Sequence, residues 1–127
     1  MKPKHKHLIV RAEVEFPFRK GDEQKTADWL IELVSGIGMK IVGGPYVGFA
    51  NAEGNTGITS CVLIETSHIA LHVWDAESPP IVQLDVYTCS DLNLDIVFSH
   101  MNCMKPTKLE YKYLDREFGL KEIFPGR

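Results

Sequence analysis

Residues 58–89 read ITSCVLIETSHIALHVWDAESPPIVQLDVYTC. Three runs in this stretch, 58–66, 68–74 and 81–89, are rich in β-branched, aromatic and other apolar residues, a composition typical of strands. The DAESPP segment between the second and third runs has the chemistry of a turn. Because the connections between the runs are short, the pattern predicts neighbouring antiparallel strands.

The flanking sequence adds further elements on both sides. Periodicity predicts strands over 7–15, 40–49 and 108–113, and helices within 26–36 and over 91–104. The ANAEGNTG segment at 50–57 is predicted to be a turn throughout. The order strand, helix, four strands, helix, strand predicts an α+β fold. We expect a two-layer α/β sandwich, in which a mostly antiparallel sheet carries two helices on one face.

The composition limits the class of protein. The chain has 127 residues, which predicts a single domain over 1–127, and its 44% hydrophobic and 24% charged residues are ordinary for a soluble globular protein. A formal net charge of −3 argues against a nucleic-acid partner. No apolar run approaches the roughly 20 residues that span a bilayer, which argues against a membrane partner. The three cysteines form no Cys-x-x-Cys pair and are expected to be thiols in a cytoplasmic protein.

The two faces of the predicted central strands differ in chemistry, because side chains alternate across a strand. In the runs 68–74 and 81–89, one face is aliphatic and is expected to lie under the helices. The other face carries imidazole, indole, phenol, thiol and carboxylate groups, from His68, His72, Trp74, Asp85, Tyr87 and Cys89. A solvated face would more often carry Lys, Glu and Thr, so this pattern predicts a site or an interface.

No metal site is predicted on this face. His68 and His72 are four residues apart, and on a strand that spacing separates them by about 13 Å, too far for two ligands of one ion. His5 and His7 have no third ligand nearby in the sequence and are predicted to be surface residues.

Three short motifs in register resemble the small prokaryotic S-adenosylmethionine decarboxylases. They are Ser67-His68, His72-Val73-Trp74 and Tyr87-Thr88-Cys89. The resemblance is strong over about a third of the chain, and the order of elements is compatible over most of it. Family members of this size are self-processing pyruvoyl enzymes and homodimers with sites near the interface.

The resemblance implies self-cleavage at Thr66-Ser67. The Ser67 hydroxyl would attack the Thr66 carbonyl, and elimination would leave chains 1–66 and 67–127, the second beginning with a pyruvoyl group. This cofactor, pyruvate made from Ser67, would form a Schiff base with the amine of S-adenosylmethionine and accept the electrons left by CO₂ loss. The decarboxylated product would be used in the biosynthesis of spermidine and other polyamines.

The resemblance also implies roles for individual side chains. His72 corresponds to the base that acts in processing, Cys89 to the acid that reprotonates the substrate carbon, and Thr59 to a serine that assists processing. His72 and Cys89 share a parity on neighbouring strands, which predicts that both point into one pocket. Substrate would contact an apolar and aromatic wall and one carboxylate, from Phe49, Trp74 and either Asp75 or Glu77.

The sequence departs from the family at the predicted cleavage point. The family has Glu before the serine, whereas this chain has Thr66 there, with Glu65 one step earlier. Regular alternation would also place Ser67 on the face opposite His72, so cleavage requires an irregular turn at Thr66-Ser67. Two alternatives follow: a pyruvoyl decarboxylase of another amino acid, arginine or ornithine, or a non-processing homologue that binds S-adenosylmethionine without catalysis.

Overall fold

The computed structural model describes residues 4–123. Its strands are β1 (Lys6–Val14), β2 (Ile41–Ala52), β3 (Asn55–Ile64), β4 (Ser67–Trp74), β5 (Ile81–Thr88), β6 (Pro106–Asp115) and β7 (Lys121–Glu122). Its helices are α1 (Glu23–Gly36) and α2 (Leu94–Met101), the latter continued by a single 3-10 turn, Asn102–Met104. The strands form one antiparallel sheet in the order β2-β3-β4-β5-β1-β6-β7. The predicted α+β sandwich is confirmed.

The core lies between the sheet and the two helices. The aliphatic side chains of β4 are buried, with Ile69 and Leu71 at 0% exposure. They join the buried faces of α1, including Leu30, and of α2, including Val97. Each fully buried aliphatic side chain of this kind contributes roughly 1.5–3 kcal/mol of hydrophobic free energy. We call the opposite side of the sheet, which carries His68 and His72, the outer face.

Two local predictions are wrong in extent. Residues 50–57 are not a turn throughout, because β2 and β3 pair from Tyr46 as far as Ala52 opposite Asn55. Only Glu53 and Gly54 form the bend, and Gly54 has the positive φ of 76° that such a tight connection requires. The second helix begins at Leu94 rather than at residue 91, because the Asn93 side chain accepts the free N–H groups of the first turn.

Strand β1 lies between β5 and β6, so the first strand in the sequence is an interior strand of the sheet. Val10 is opposite Leu84 on one side and Tyr111 on the other. This placement brings His5 and His7 beside the end of β5, where the motif Tyr87-Thr88-Cys89 lies.

Neither helix within residues 4–123 is long and apolar enough to cross a membrane.

Candidate active site

The connection between β3 and β4 contains the predicted cleavage point. Ile64 pairs with Ser67, which leaves Glu65 and Thr66 as the bend. Ser67 has a φ of 148°, a region that residues other than glycine rarely adopt and that costs about 1–3 kcal/mol. The irregular backbone that cleavage requires is therefore present at this residue.

The unusual φ sends the two hydroxyls of this junction to different faces of the sheet. Ser67 pairs with the buried Thr88, so a regular strand would direct its side chain toward the core. Instead, Ser67 Oγ lies 3.5 Å from Sγ of the exposed Cys89. Thr66 Oγ1 is the group that meets Thr88, at 3.1 Å from its Oγ1. The Ser67 hydroxyl is thereby placed beside the outer face, next to a thiol.

The carbonyl that Ser67 would attack is itself hydrogen-bonded. The backbone N–H of Cys89 donates to the Thr66 carbonyl oxygen at 2.8 Å. A donor in this position polarises the carbonyl and stabilises negative charge that develops on its oxygen. Nucleophile, carbonyl and donor thus lie within one small region at the ends of β3, β4 and β5.

His5 was predicted to be a surface residue, and the structure corrects this. Its Nδ1 lies 3.4 Å from Cys89 Sγ and 3.1 Å from the Tyr87 hydroxyl. No local pattern signals these contacts, because they arise from the pairing of β1 with β5, which are far apart in the sequence. An imidazole therefore adjoins the thiol that faces Ser67.

His7 is also not a surface residue, since its side chain is only 15% exposed. Arg116 donates to Nδ1 of His7 at 3.2 Å, and Nε2 lies 2.6 Å from Asp85 Oδ1. Because a guanidinium can only donate, Nδ1 accepts and Nε2 carries the hydrogen that Asp85 receives. Asp85 also lies 3.5 Å from Nε2 of His68, the residue that follows the predicted cleavage serine.

A second cluster occupies the other end of β4. Thr59 and His72 are directly opposite one another on β3 and β4, and Thr59 Oγ1 is 2.7 Å from His72 Nδ1. Trp74 donates from Nε1 to Asn55 Oδ1 at 3.1 Å. A cavity of about 150 Å³ lies between these groups, and another of about 330 Å³ lies on the other side of His72, toward Tyr46.

The close approach of β3 and β4 at this cluster depends on Gly57. Its φ is 152°, and a Cβ at this position would lie 1.7 Å from the Val73 carbonyl oxygen. Glycine is therefore required for the two strands to meet beside Thr59 and Trp74.

His72 and Cys89 share the outer face but do not enter one pocket within a single chain. Ser67 and His72 are five residues apart on the same strand, which separates them by about 17 Å. Cys89 adjoins Ser67, whereas His72 is opposite Gln83. The pocket predicted to hold both side chains is therefore not formed within one chain, because parity defines the face of a strand but not the position along it.

The predicted substrate wall is also divided between the two faces. Phe49 pairs with the buried Ile58 and packs against the core, with Lys20 Nζ 5.7 Å from its ring centroid. It does not meet Trp74, which lies on the outer face. Phe49 therefore cannot form a wall with Trp74 of the same chain.

The two candidate carboxylates differ in burial. Asp75 is 14% exposed and lies 3.5 Å from Arg19, and its Oδ1 is buried with no hydrogen-bond partner among the described residues. Glu77 lies in the exposed turn before β5.

Across residues 4–123, no three side chains of His, Cys, Asp or Glu are grouped as a metal site would require.

Comparison with known proteins identifies the family. Residues 7–117 match the sequence profile of the S-adenosylmethionine decarboxylase family. The fold is similar to the crystal structure of the adenosylmethionine decarboxylase from Aquifex aeolicus, with a TM-score of 0.66 and 18% sequence identity over 100% of both chains. The resemblance inferred from the three motifs is confirmed. This chain belongs to the S-adenosylmethionine decarboxylase family.

Proposed function

We propose that the chain cuts itself between Thr66 and Ser67 and then decarboxylates S-adenosylmethionine, the reaction that supplies polyamine biosynthesis. The observation that supports self-cleavage most directly is the junction itself. Ser67 combines a positive φ of 148° with a hydroxyl beside Cys89, and the Thr66 carbonyl accepts from the Cys89 N–H. A strained peptide, a nearby hydroxyl and a donor on the carbonyl oxygen together favour acyl transfer.

The cut proceeds in two steps. Ser67 Oγ attacks the Thr66 carbonyl carbon, the Thr66–Ser67 C–N bond breaks, and an ester with a free Ser67 amine remains. A base then removes the Ser67 α-proton, and the Cβ–O bond breaks to release Thr66 as a carboxylate. The resulting enamine takes up water and loses ammonia, which leaves a ketone at residue 67. We assign the base to His72, which contacts Thr59 at 2.7 Å and which, at about 17 Å from Ser67 within one chain, must act across a dimer.

The surroundings of residue 67 fit a pyruvoyl group. The ketone would take the place of the half-buried Ser67 side chain beside Cys89, with His68 following it on the outer face. When present, a pyruvoyl group condenses with the substrate amine and accepts the electrons released by CO₂ loss. Cys89, with Sγ 3.5 Å from Ser67 Oγ, is the side chain that we assign to deliver a proton to the substrate carbon.

We assign Trp74 and Asp75 to substrate binding. The Trp74 indole on the outer face offers an aromatic surface for adenine or for the sulfonium cation. Asp75 has a buried oxygen without a partner among residues 4–123, which a ribose hydroxyl could satisfy. Glu77 is exposed and lacks this feature.

We propose that a homodimer completes the site. Ser67 with Cys89, and Thr59 with His72, form two half-sites about 17 Å apart on one strand. A two-fold axis through the outer face would bring each half-site against the other half-site of the partner. Exposed apolar side chains on this face support the pairing, with Tyr46 at 58%, Leu63 at 44% and Ile9 at 40% exposure.

We place the enzyme in the cytoplasm. The three cysteines are free thiols in the structure, as a reducing compartment would leave them. Cys89 in particular would need to remain a thiol to act as a proton donor.

Intact-mass analysis of purified protein tests the proposal. We expect fragments 1–66 and 67–127, the second without a free amino terminus. Ser67→Ala is the matched control and should remain at full length. A wild-type chain that stays whole after prolonged incubation would exclude self-cleavage and leave a non-processing member of the family. A cut chain that decarboxylates arginine or ornithine but not S-adenosylmethionine would overturn the substrate assignment alone.

A further inference from the structure

The side chain before the predicted cleavage point is anchored on the core side of the sheet. Thr66 Oγ1 lies 3.1 Å from Thr88 Oγ1 and 3.2 Å from Met39 Sδ. Thr88 is fully buried, its hydroxyl lies 3.3 Å from the same sulfur, and it is 3.2 Å from Ser90 Oγ. The Thr66 hydroxyl thus belongs to a small, partly buried polar cluster on the core side of the sheet.

The hydrogen-bond partners in this cluster define what the Thr66 hydroxyl contributes. The backbone N–H of Ser90 donates to Thr88 Oγ1 at 3.2 Å, so Thr88 already accepts one bond. Each hydroxyl has one hydrogen and two acceptor lone pairs, and a thioether accepts only weakly. Without the Thr88 hydroxyl, Thr66 therefore keeps only the weak Met39 acceptor, and without the Thr66 hydroxyl, Thr88 keeps its contacts with Ser90 but no longer holds the residue before the cleavage point.

Thr66 is consequently held at two points, its side chain and its carbonyl. Its hydroxyl is fixed to Thr88, and its carbonyl oxygen accepts from the Cys89 N–H at 2.8 Å. Thr88 is the last residue of β5 and Cys89 follows it, so both anchors come from consecutive residues. The next residue, Ser67, is the one that adopts the unusual φ of 148° at the start of β4.

We propose that Thr66 is a positioning residue for self-cleavage. Its anchored hydroxyl aims the Thr66 carbonyl at the Cys89 N–H and keeps the Ser67 hydroxyl on the outer face. The inference rests on the proposed self-cleavage. The positioning is assigned to the Thr66 hydroxyl, a group that the glutamate found at this position in the family does not have.

The test compares variants of Thr66 that differ in the hydroxyl and in the β-branch. Thr66→Val keeps the shape and removes the hydroxyl, whereas Thr66→Ser keeps the hydroxyl and removes the methyl group. Cleavage would be followed by intact mass from freshly synthesised chain, with the melting temperature measured on the same samples. Thr107→Val, at an exposed position on β6, controls for the loss of any threonine hydroxyl.

We expect Thr66→Val to slow cleavage by roughly tenfold, the effect of one lost hydrogen bond on a rate. Thr66→Ser should cut within about threefold of wild type, and Thr88→Val should reproduce the Thr66→Val defect. Combining Thr66→Val with Thr88→Val should add little, because both changes remove one interaction. Decarboxylation per cut chain should be unchanged in all of them.

Several results would overturn the inference. Cleavage of Thr66→Val at the wild-type rate would do so, as would cleavage of Thr66→Ser as slow as that of Thr66→Val. The role would be purely structural if Thr66→Val, Thr66→Ser and Thr88→Val all lowered the cleavage rate to the same extent and all lowered the melting temperature to the same extent. A wild-type chain that never cuts would overturn the proposed function together with this inference, whereas the other results leave the proposed function intact.

Discussion

The backbone N–H of Cys89 donates to the carbonyl oxygen of Thr66 at 2.8 Å, while the Cys89 thiol lies 3.5 Å from the Ser67 hydroxyl. Cys89 therefore meets the predicted cleavage point through two groups, and only one of them is lost when the side chain is shortened. Processing and turnover should accordingly respond differently to substitution of this residue.

Cys89→Ala should still be cut, because the N–H on the Thr66 carbonyl remains. Decarboxylation per cut chain should fall by about 10²–10⁴-fold, the usual effect of losing a general acid. The measurement is CO₂ release normalised to the cut fraction from intact mass. Cys103→Ala, which removes an exposed thiol in the 3-10 turn after α2, is the control. Wild-type turnover in Cys89→Ala would assign the thiol to packing alone.

His72→Ala should accumulate uncut chain or a stalled ester, because the elimination step loses its base. A general base is worth about 10²–10⁴-fold in rate. Hydroxylamine cleaves esters, so its addition should release fragment 1–66 from any stalled intermediate. Normal cutting of His72→Ala would remove His72 from the processing step.

A mixture of two inactive variants tests the composite site. Ser67→Ala cannot be cut but retains Thr59 and His72, whereas His72→Ala retains Ser67 and Cys89. If each site combines the two half-sites across a dimer, co-expression should produce cut His72→Ala chains, distinguished by a mass tag. Each variant expressed alone is the control. A site confined to one chain predicts that neither variant is cut in the mixture.

Gly57→Ala should be strongly destabilising. The added Cβ would lie 1.7 Å from the Val73 carbonyl oxygen, so β3 and β4 would have to separate next to Thr59. We expect a loss of about 2 kcal/mol or more in the free energy of unfolding, measured by urea denaturation. Gly36→Ala is the control, because its Cβ would meet Ile96 at an ordinary 3.4 Å within a helix. Equal stability of the two variants would contradict this account of the strand junction.

The end of β6 should make stability depend on pH. The Glu117 N–H donates to Asp115 at 2.9 Å and lowers the pKa of that carboxyl, and a bond to Glu117 raises the pKa of Lys6. A lowered carboxyl pKa gives stability that is present above about pH 4 and is lost as the pH falls through the folded-state pKa. The raised Lys6 pKa gives stability that is present below about pH 10.4 and is lost as the pH rises through the folded-state pKa.

Asp115→Asn should therefore be less stable than wild type at pH 7, with the difference shrinking as the pH is lowered below 4. Urea unfolding at several pH values measures it. Glu110→Gln removes one negative charge from an exposed position on the same strand and controls for net charge. A difference that stays constant with pH would contradict the assignment to Asp115.

Local periodicity was sufficient to predict the faces of the central strands. Ile69, Leu71 and Val73 are buried, and His68 and His72 lie on the other face, because alternation is a property of the strand itself. The limits of β2 and β3 were not predicted, because asparagine, glycine and threonine residues that favour turns are here paired in the sheet. Tertiary pairing overrode their local preference.

The composition of the site was only partly predictable for a related reason. His5 and His7 reach Cys89 and Asp85 because β1 inserts between β5 and β6, a long-range pairing with no local sequence signal. The separation of His72 from Cys89 depends on the register between β4 and β5, which parity does not define. The motifs therefore identified the side chains but not their grouping.

The position of β1 also determines what happens to the protein after cleavage. Residues 1–66 contribute β1, β2 and β3, and β1 is enclosed by β5 and β6 of the other product, while β3 pairs with β4. Separation of the products would break three ladders of hydrogen bonds, so we expect them to copurify as one interlocked particle. Once unfolded, however, they are two molecules, and their reassembly becomes second order. The melting temperature of the cut enzyme should then rise with protein concentration.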